Sequence, residues 1–230
     1  MSLFVTADLH FSFGTDKPMD IFGGWDNYVE KLTANWRQLV KPDDTIVIAG
    51  DISWGTGLDG AEQDFAYIHS LPGKKIILKG NHDYWFSTKK KVDDFLAEKG
   101  FDSIKILFNN CYEYGGYALC GTRGWIREPG SPQDKKIAAR EAGRLELSLK
   151  AGLKTGKEIL CFLHYPPLYA GEECKEIVDL LWGYGVRCVY YGHIHGWKNA
   201  RGAITGEVSG INYHLIACDQ TDFCPVKIED

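Results

Sequence analysis

The 230-residue chain lacks what several protein classes require. No apolar run approaches the roughly 18–20 residues that span a bilayer, so a helical membrane span is excluded. The opening stretch MSLFVTADLHFSFG has no basic segment followed by a long apolar one. Asp8 and His10 interrupt it, and no secretory signal is expected. Positive charge is not in excess: the formal net charge is −5, which argues against extended nucleic-acid binding. The seven cysteines are odd in number and form no CxxC pair. Several sit in apolar runs, such as ILCFL around Cys161, as buried thiols of a reducing cytoplasm do. Low-complexity linkers and internal repeats are also missing. Residues 1–230 therefore read as a single domain with no cap domain.

What is present has the composition of an ordinary globular protein, 44% hydrophobic and 25% charged. Short β-branched runs alternate with amphipathic stretches. The strand-like runs are SLFVTA (2–7), TIVIAG (45–50), KKIILKG (74–80), EILCFLH (158–164) and RCVYYG (187–192). Tyr28, Leu32, Trp36 and Leu39/Val40 fall on one helical face, as do Ala138, Ala142, Leu145 and Leu149. Residues 104–121 and 203–228 read as strands joined by short glycine turns, predicting antiparallel hairpins added to the earlier βα units. The class is α/β, with mixed sheets and outer helices.

Polar residues gather where the apolar runs end. After VTA comes Asp8-Leu9-His10, and after VIAG comes Asp51. IILKG leads to Asn81-His82-Asp83, LCFL to His164, and VYYG to His193-Ile194-His195. Five of the seven histidines occupy such positions, at the carboxyl ends of strands, where open α/β sheets place ligands. Asp8 and His10, like His193 and His195, are two apart, so in an extended segment both side chains point to one side. Imidazole, carboxylate and amide oxygen make a mixed N/O set suited to Mn, Fe or Zn. No cysteine takes part, which argues against a structural thiolate zinc site. Seven ligand candidates exceed one tetrahedral ion and suit two divalent ions about 3.5–4 Å apart, with Asp51 as the natural bridge.

In these blocks the chain resembles the calcineurin-like metallophosphoesterases, whose ordered signature is D-x-H, GD, GNH[DE], H and GHxH. Here the signature stands as Asp8-Leu9-His10, Gly50-Asp51, Gly80-Asn81-His82-Asp83, His164 and Gly192-His193-Ile194-His195. The resemblance, which extends to bacterial cyclic-nucleotide phosphodiesterase-like members, implies a four-layer α/β/β/α sandwich of two mixed sheets flanked by helices. It implies that Asp8, His10 and His195 hold one ion, that Asn81, His164 and His193 hold the other, and that Asp51 is shared. It further implies that a bridging hydroxide attacks phosphorus in line. His82 would protonate the leaving group, with Asp83 orienting its ring. The implied substrate is a small phosphomonoester or phosphodiester, with nucleotides among the candidates. Protein phosphatases and nucleases share the motif set, and some members of the fold serve as non-catalytic scaffolds.

Other signals are weaker. Trp54 and Trp85 follow motifs closely, as do Trp125 and Trp197. Each can pack beneath a loop or form an aromatic rim for a planar leaving group. Arg123 follows the run YALCG and is a candidate grip on a non-bridging phosphate oxygen. Lys135, Lys136, Arg140 and Arg144 read as the solvated face of a helix, with Arg127 in the same basic stretch. His69 and His214 read as ordinary core or surface residues. GLKTGKE (152–158) has the wrong glycine spacing for a P-loop and reads as a turn.

Overall fold

The structure, a computed structural model, describes residues 1–126 and 132–228. Arg127 lies outside them. The first half of the chain runs β1 (Leu3–Thr6), α1 (Tyr28–Leu39), β2 (Thr45–Ala49), α2 (Leu58–Ser70), β3 (Lys74–Leu78), α3 (Lys89–Glu98) and β4 (Ile104–Ile106). The second half runs β5 (Tyr112–Tyr114), β6 (Tyr117–Thr122), α4 (Pro132–Leu153), β7 (Glu158–Leu163), β8 (Leu168–Tyr169) and β9 (Glu172–Glu173). Then come α5 (Lys175–Gly183), β10 (Cys188–Tyr191), α6 (Gly196–Ala200), β11 (Gly206–Val208), β12 (Ile211–Leu215), a 3₁₀ turn (Cys218–Gln220) and β13 (Val226–Ile228).

Two mixed sheets result. One has the order β13-β1-β2-β3-β4, the other β11-β12-β10-β7-β6-β5. Strands β1 to β4 are mutually parallel, as are β12, β10, β7 and β6, and antiparallel strands close the edges at β13, β11 and β5. The near-continuous apolar runs follow from this arrangement, because a parallel strand between two layers is buried on both faces. In β2, Ile46 and Ile48 face the layer of α1, α2 and α3, while Val47 and Ala49 face the other sheet. In β7, Ile159, Cys161 and Leu163 pack toward α4 and α5, and Leu160 and Phe162 point between the sheets. The four-layer α/β/β/α sandwich is thus written into the alternation of each strand.

Tyr28, Leu32 and Trp36 of α1 are buried as the periodicity predicts, and Val40, not Leu39, continues the face. On α4, Ala138, Leu145 and Leu149 are buried. The expected hairpins are only partly present. Gly115-Gly116 turns β5 into β6, and Ser209-Gly210 turns β11 into β12. However, β4 pairs in parallel with β3, β12 pairs in parallel with β10, and β13 crosses to the opposite sheet beside β1. A short strand presents the same apolar pattern to either partner, so its pairing is set by which edge it reaches. GLKTGKE forms a turn after α4, with Thr155 N donating to Gly152 O at 3.0 Å.

The carboxyl ends of the two sheets are joined to each other. His193 N donates to Asp8 Oδ2 at 2.9 Å and Cys218 N to Ala7 O at 3.1 Å. Ala7 also bridges Ala217 in parallel. These links bring the turns after β1, β2, β3, β7 and β10 to one place. Among the described residues, no helix is long and apolar enough to cross a membrane.

A candidate dinuclear metal centre between the sheet ends

Four of the seven ligand candidates sit in strained turns. Asp8, His10, Asp51 and His193 all have positive φ, at 63°, 47°, 50° and 70°. Such left-handed backbone costs about 1–2 kcal/mol per non-glycine residue and concentrates at functional sites. The glycines of the motifs serve close approach. A Cβ on Gly50 would sit 2.7 Å from His164 Nδ1 and 2.8 Å from Gly80 Cα. One on Gly80 would overlap Asp51, and one on Gly192 would overlap the Asp8 carboxylate.

These turns assemble two clusters, Asp8–His10–His195 and Asp51–His164–His193, whose ligand atoms lie within 4.8 Å of one another in each group. Asp51 lies between them. Its Oδ1 accepts from His82 N at 2.8 Å, while Oδ2 is buried without a hydrogen-bond partner. That orphaned oxygen stands 3.7 Å from His10 Nε2 and 3.5 Å from His164 Nε2, one from each cluster. Asn81 joins the second cluster, its Oδ1 2.6 Å from His164 Nε2.

The residues fit divalent cations on chemical grounds. His164 Nδ1 lies 3.1 Å from Ala49 O and can donate only there, which leaves the Nε2 lone pair facing the Asn81 oxygen. Two electron pairs so close repel unless a cation shares them. His10 Nε2 and His195 Nε2 face each other at 3.3 Å. The two clusters are therefore positioned to coordinate divalent metal ions.

The electrostatics agree. Burial lowers His164 and His193 to about 3 and holds His10 well below the usual imidazole range, so all three are neutral ligands at neutral pH. Burial, then the charges of Asp83 and Asp8, pushes Asp51 well above the usual carboxylate range, as expected for clustered acids awaiting a cation. His195 is the exception. Burial opposes its charge, but Asp8 and Asp219 outweigh burial and raise it to about 10.

His82 sits at the half-exposed rim. Its ring packs 4.3 Å from Trp54 and lies 5.7 Å from that of His10, and its Nδ1 is 3.3 Å from Tyr84 Oη. Burial, followed by the His195 charge, lowers its pKa. The pairing of Asp83 with the His82 ring is corrected by the hydrogen bonds. Asp83 is buried; its Oδ2 accepts from Gly80 N (2.7 Å), and its Oδ1 from Ile52 N (2.8 Å), Ser53 N (3.2 Å) and Trp85 Nε1 (2.8 Å). A carboxylate so occupied staples the GNHD turn to the loop after β2.

The tryptophans divide. Trp54 is half-buried at the site, stacked on His10 at 5.1 Å and 25°. Trp85 is 2% exposed and edge-on to Phe65, so it belongs to the core beneath the loop and not to a substrate rim. Trp197 is exposed, and Trp125 donates to Asp134 at 3.1 Å. Arg123 is near the centre by backbone, its carbonyl accepting from His164 N (3.1 Å) and Tyr165 N (2.8 Å). Arg144 departs from the solvated face expected of it, being half-buried against Glu141 and Phe108. His69 pairs with Ser103 Oγ at 2.9 Å and His214 stacks on Tyr190, both away from the centre.

Sequence reasoning missed Asp219, Trp25 and Tyr165. Asp219 Oδ1 lies 2.8 Å from His195 Nδ1, and Trp25 meets the His10 and His195 rings edge-on at 5.8 and 5.5 Å. The Tyr165 ring is 4.2 Å from that of His193. Asp219 follows the apolar run HLIAC (214–218), so it carried the same strand-end signal as the ligands.

Comparison with known proteins agrees with this geometry. In the crystal structures of AQ665, a protein of unknown function from Aquifex aeolicus, and of phosphopantetheinyl hydrolase from Mycobacterium tuberculosis, the fold recurs. The first shares 16% identity at a TM-score of 0.53, covering 98% of this chain and 95% of that one. The second shares 13% identity at a TM-score of 0.54, covering 99% and 95%. At such identity the likeness is one of fold. Gene 66 protein of Mycobacterium phage L5 is 37% identical over 81 residues, which is 34% of this chain and 38% of that protein. The family model of the calcineurin-like phosphoesterases matches residues 1–197, which include every residue of both clusters, and the chain belongs to that family of enzymes.

Proposed function

We propose that the protein hydrolyses a small phosphate ester, mono- or diester, with His82 as general acid. The observation that carries this reading is the shared, unpartnered Asp51 Oδ2 between two histidine-carboxylate clusters, with the His82 ring beside them at the open rim. Bound divalent ions would supply Lewis-acid polarisation of a phosphoryl oxygen and an acidified water. Mn, Fe or Zn suits the N/O donor set.

The chain's own residues account for the remaining chemistry. The backbone amide of His82, held by Asp51, and the Trp54 face fix the imidazole. Tyr84 occupies its Nδ1 side, which leaves Nε2 for the leaving oxygen. The negative charge of a bound ester would raise the His82 pKa and keep its proton available. Arg123, between Trp125 at 5.3 Å and Tyr165 at 5.9 Å, would grip a phosphate oxygen. The free state of all seven cysteines supports a reducing, cytoplasmic setting, and the β13–β1 pairing supports reading the chain as one phosphoesterase domain.

The test is an assay of protein loaded with Mn, Fe or Zn on paired aryl phosphate mono- and diesters, beside His82→Ala. Metal-dependent cleavage, reduced on the order of a hundredfold or more in the variant and least for the best leaving group, is expected. Metal binding without cleavage of either ester above the variant's level would favour a scaffold.

A further inference from the structure

Beside the metal centre, cations crowd without enough anions to match them. Lys79 follows β3 directly, two residues before Asn81, and is half-buried, yet it forms no hydrogen bond or ion pair among the described residues. Its Nζ lies 5.5 Å from the centre of the Phe86 ring, which packs 5.1 Å from Phe108. Arg144 lies over the same Phe108 at 5.1 Å. Arg123 and Arg144 meet at one carboxylate, Glu141, which is fully buried. Its Oε1 accepts from Arg144 Nη1 (2.6 Å) and Arg123 Nη2 (3.1 Å), and its Oε2 from Thr122 Oγ1 (3.1 Å).

Lys79 feels Arg123 and Arg144 as like charges and Glu141 as an opposite one. Asp83, also within its reach, has its oxygens taken by four other donors. Arg123 Nε is buried without a partner. Lys79, Arg123 and Arg144, with the more exposed Arg140 4.0 Å from the same Glu141 oxygen, outnumber the two carboxylates Glu141 and Asp83, a local positive excess in a chain whose net charge is −5. Gathering like charges at partly buried positions is unfavourable unless an anion completes them.

We propose that Lys79, Arg123 and Arg144 form a subsite for a second anionic group, so that the natural ester is an organic bisphosphate or diphosphate. Glu141 is the positioning residue that holds the two guanidinium groups in place. The subsite adjoins the Asn81–His164 side of the metal centre, since the Arg123 carbonyl accepts from His164 N. The statement about substrate rests on the phosphoesterase reading; the statement about anion binding does not.

The experiment compares kcat/KM of metal-loaded protein for an aryl monophosphate and for the same aryl group carrying a second phosphate. The second phosphate is expected to raise kcat/KM about tenfold or more, chiefly through KM, with the advantage shrinking as salt is added. In Lys79→Gln and in Arg144→Gln the ratio should fall toward one; two variants on separate elements guard against one that misfolds. Equal values for both esters in the wild type, or a ratio that both variants keep, overturns the subsite. If neither ester is cleaved, the phosphoesterase reading has failed and binding decides. Calorimetry then compares inorganic pyrophosphate with inorganic phosphate. Tighter pyrophosphate binding that Lys79→Gln abolishes upholds the subsite, and indifference to the substitution overturns it.

Discussion

His195 Nδ1 donates to Asp219 Oδ1 across 2.8 Å, and the same carboxylate accepts from Gly196 N at 2.8 Å and Gln220 Nε2 at 2.7 Å. The ring is thereby turned so that Nε2 faces Asp8 Oδ1 at 3.5 Å. A carboxylate behind a ligating histidine fixes its tautomer and raises its basicity. Asp219→Ala should weaken metal binding about ten- to a hundredfold, with Asp219→Asn recovering part of it. Metal titration of the two variants checks this, and wild-type affinity in Asp219→Ala would remove the role.

Trp54 and Trp85 should separate cleanly. Trp85→Ala opens a core cavity beside Phe65 and strips Asp83 of a donor, at a cost of about 3–5 kcal/mol. Trp54→Ala removes a half-buried ring from His10 and His82 and should cost less stability while raising KM, more for a nucleotide ester than for a small aryl phosphate. Urea unfolding and steady-state kinetics on both variants decide. Equal kinetic effects on the two esters would end the rim role of Trp54.

Gly80→Ala tests the close approach of two motifs. The added Cβ would overlap the Asp51 side chain and amide, so Asp51 must move. A displacement near 1 Å at such a site costs on the order of a hundredfold in rate. Loss of activity on that scale, with an unchanged circular dichroism spectrum, is the expected result; near wild-type turnover would show that the approach is dispensable.

Lys75 gives a pH signature far from the metal centre. Its buried Nζ donates to Leu71 O, to His69 O at 3.3 Å and to Ser103 Oγ at 3.3 Å, at the carboxyl end of α2. Burial pushes its pKa from 10.5 down to about 8. Between these two values the unfolded chain binds more protons than the folded one, so stability contributed at Lys75 rises with pH across that window. Lys75→Met leaves the three acceptors without their donor and lacks this titration. The stability difference between wild type and variant should therefore grow in favour of the wild type from about pH 8 upward, and a flat difference from chemical denaturation would refute the assignment.

Much of the site was legible because it is local. Asp8, Asp51, His164 and His193 each follow an apolar run directly, so the gathering of strand ends could be read from the sequence, whereas the left-handed turns at Asp8, His10 and His193, which send His193 and His195 to different clusters, could not. Other roles depended on distant partners. Asp83 looked like a companion of its neighbour His82, yet the loop after β2 claims its oxygens. Arg144 looked solvated because Glu141 and Phe108 draw it inward only once α4 is docked. The pairing of β4, β12 and β13 was likewise outside local reach, since a three- to five-residue apolar strand accepts either neighbour.

The amino-acid sequence by itself determined the α/β class and the donor types at the strand ends, because hydrophobic patterning and the residues that follow each strand are short-range properties of consecutive residues. Only the tertiary structure decided that Asp51 Oδ2 stands between two clusters, that Asp219 pairs with His195, and that Arg123 and Arg144 meet at Glu141. Those facts depend on which strand ends become neighbours. Packing between the two sheets fixes that, and no single segment encodes it.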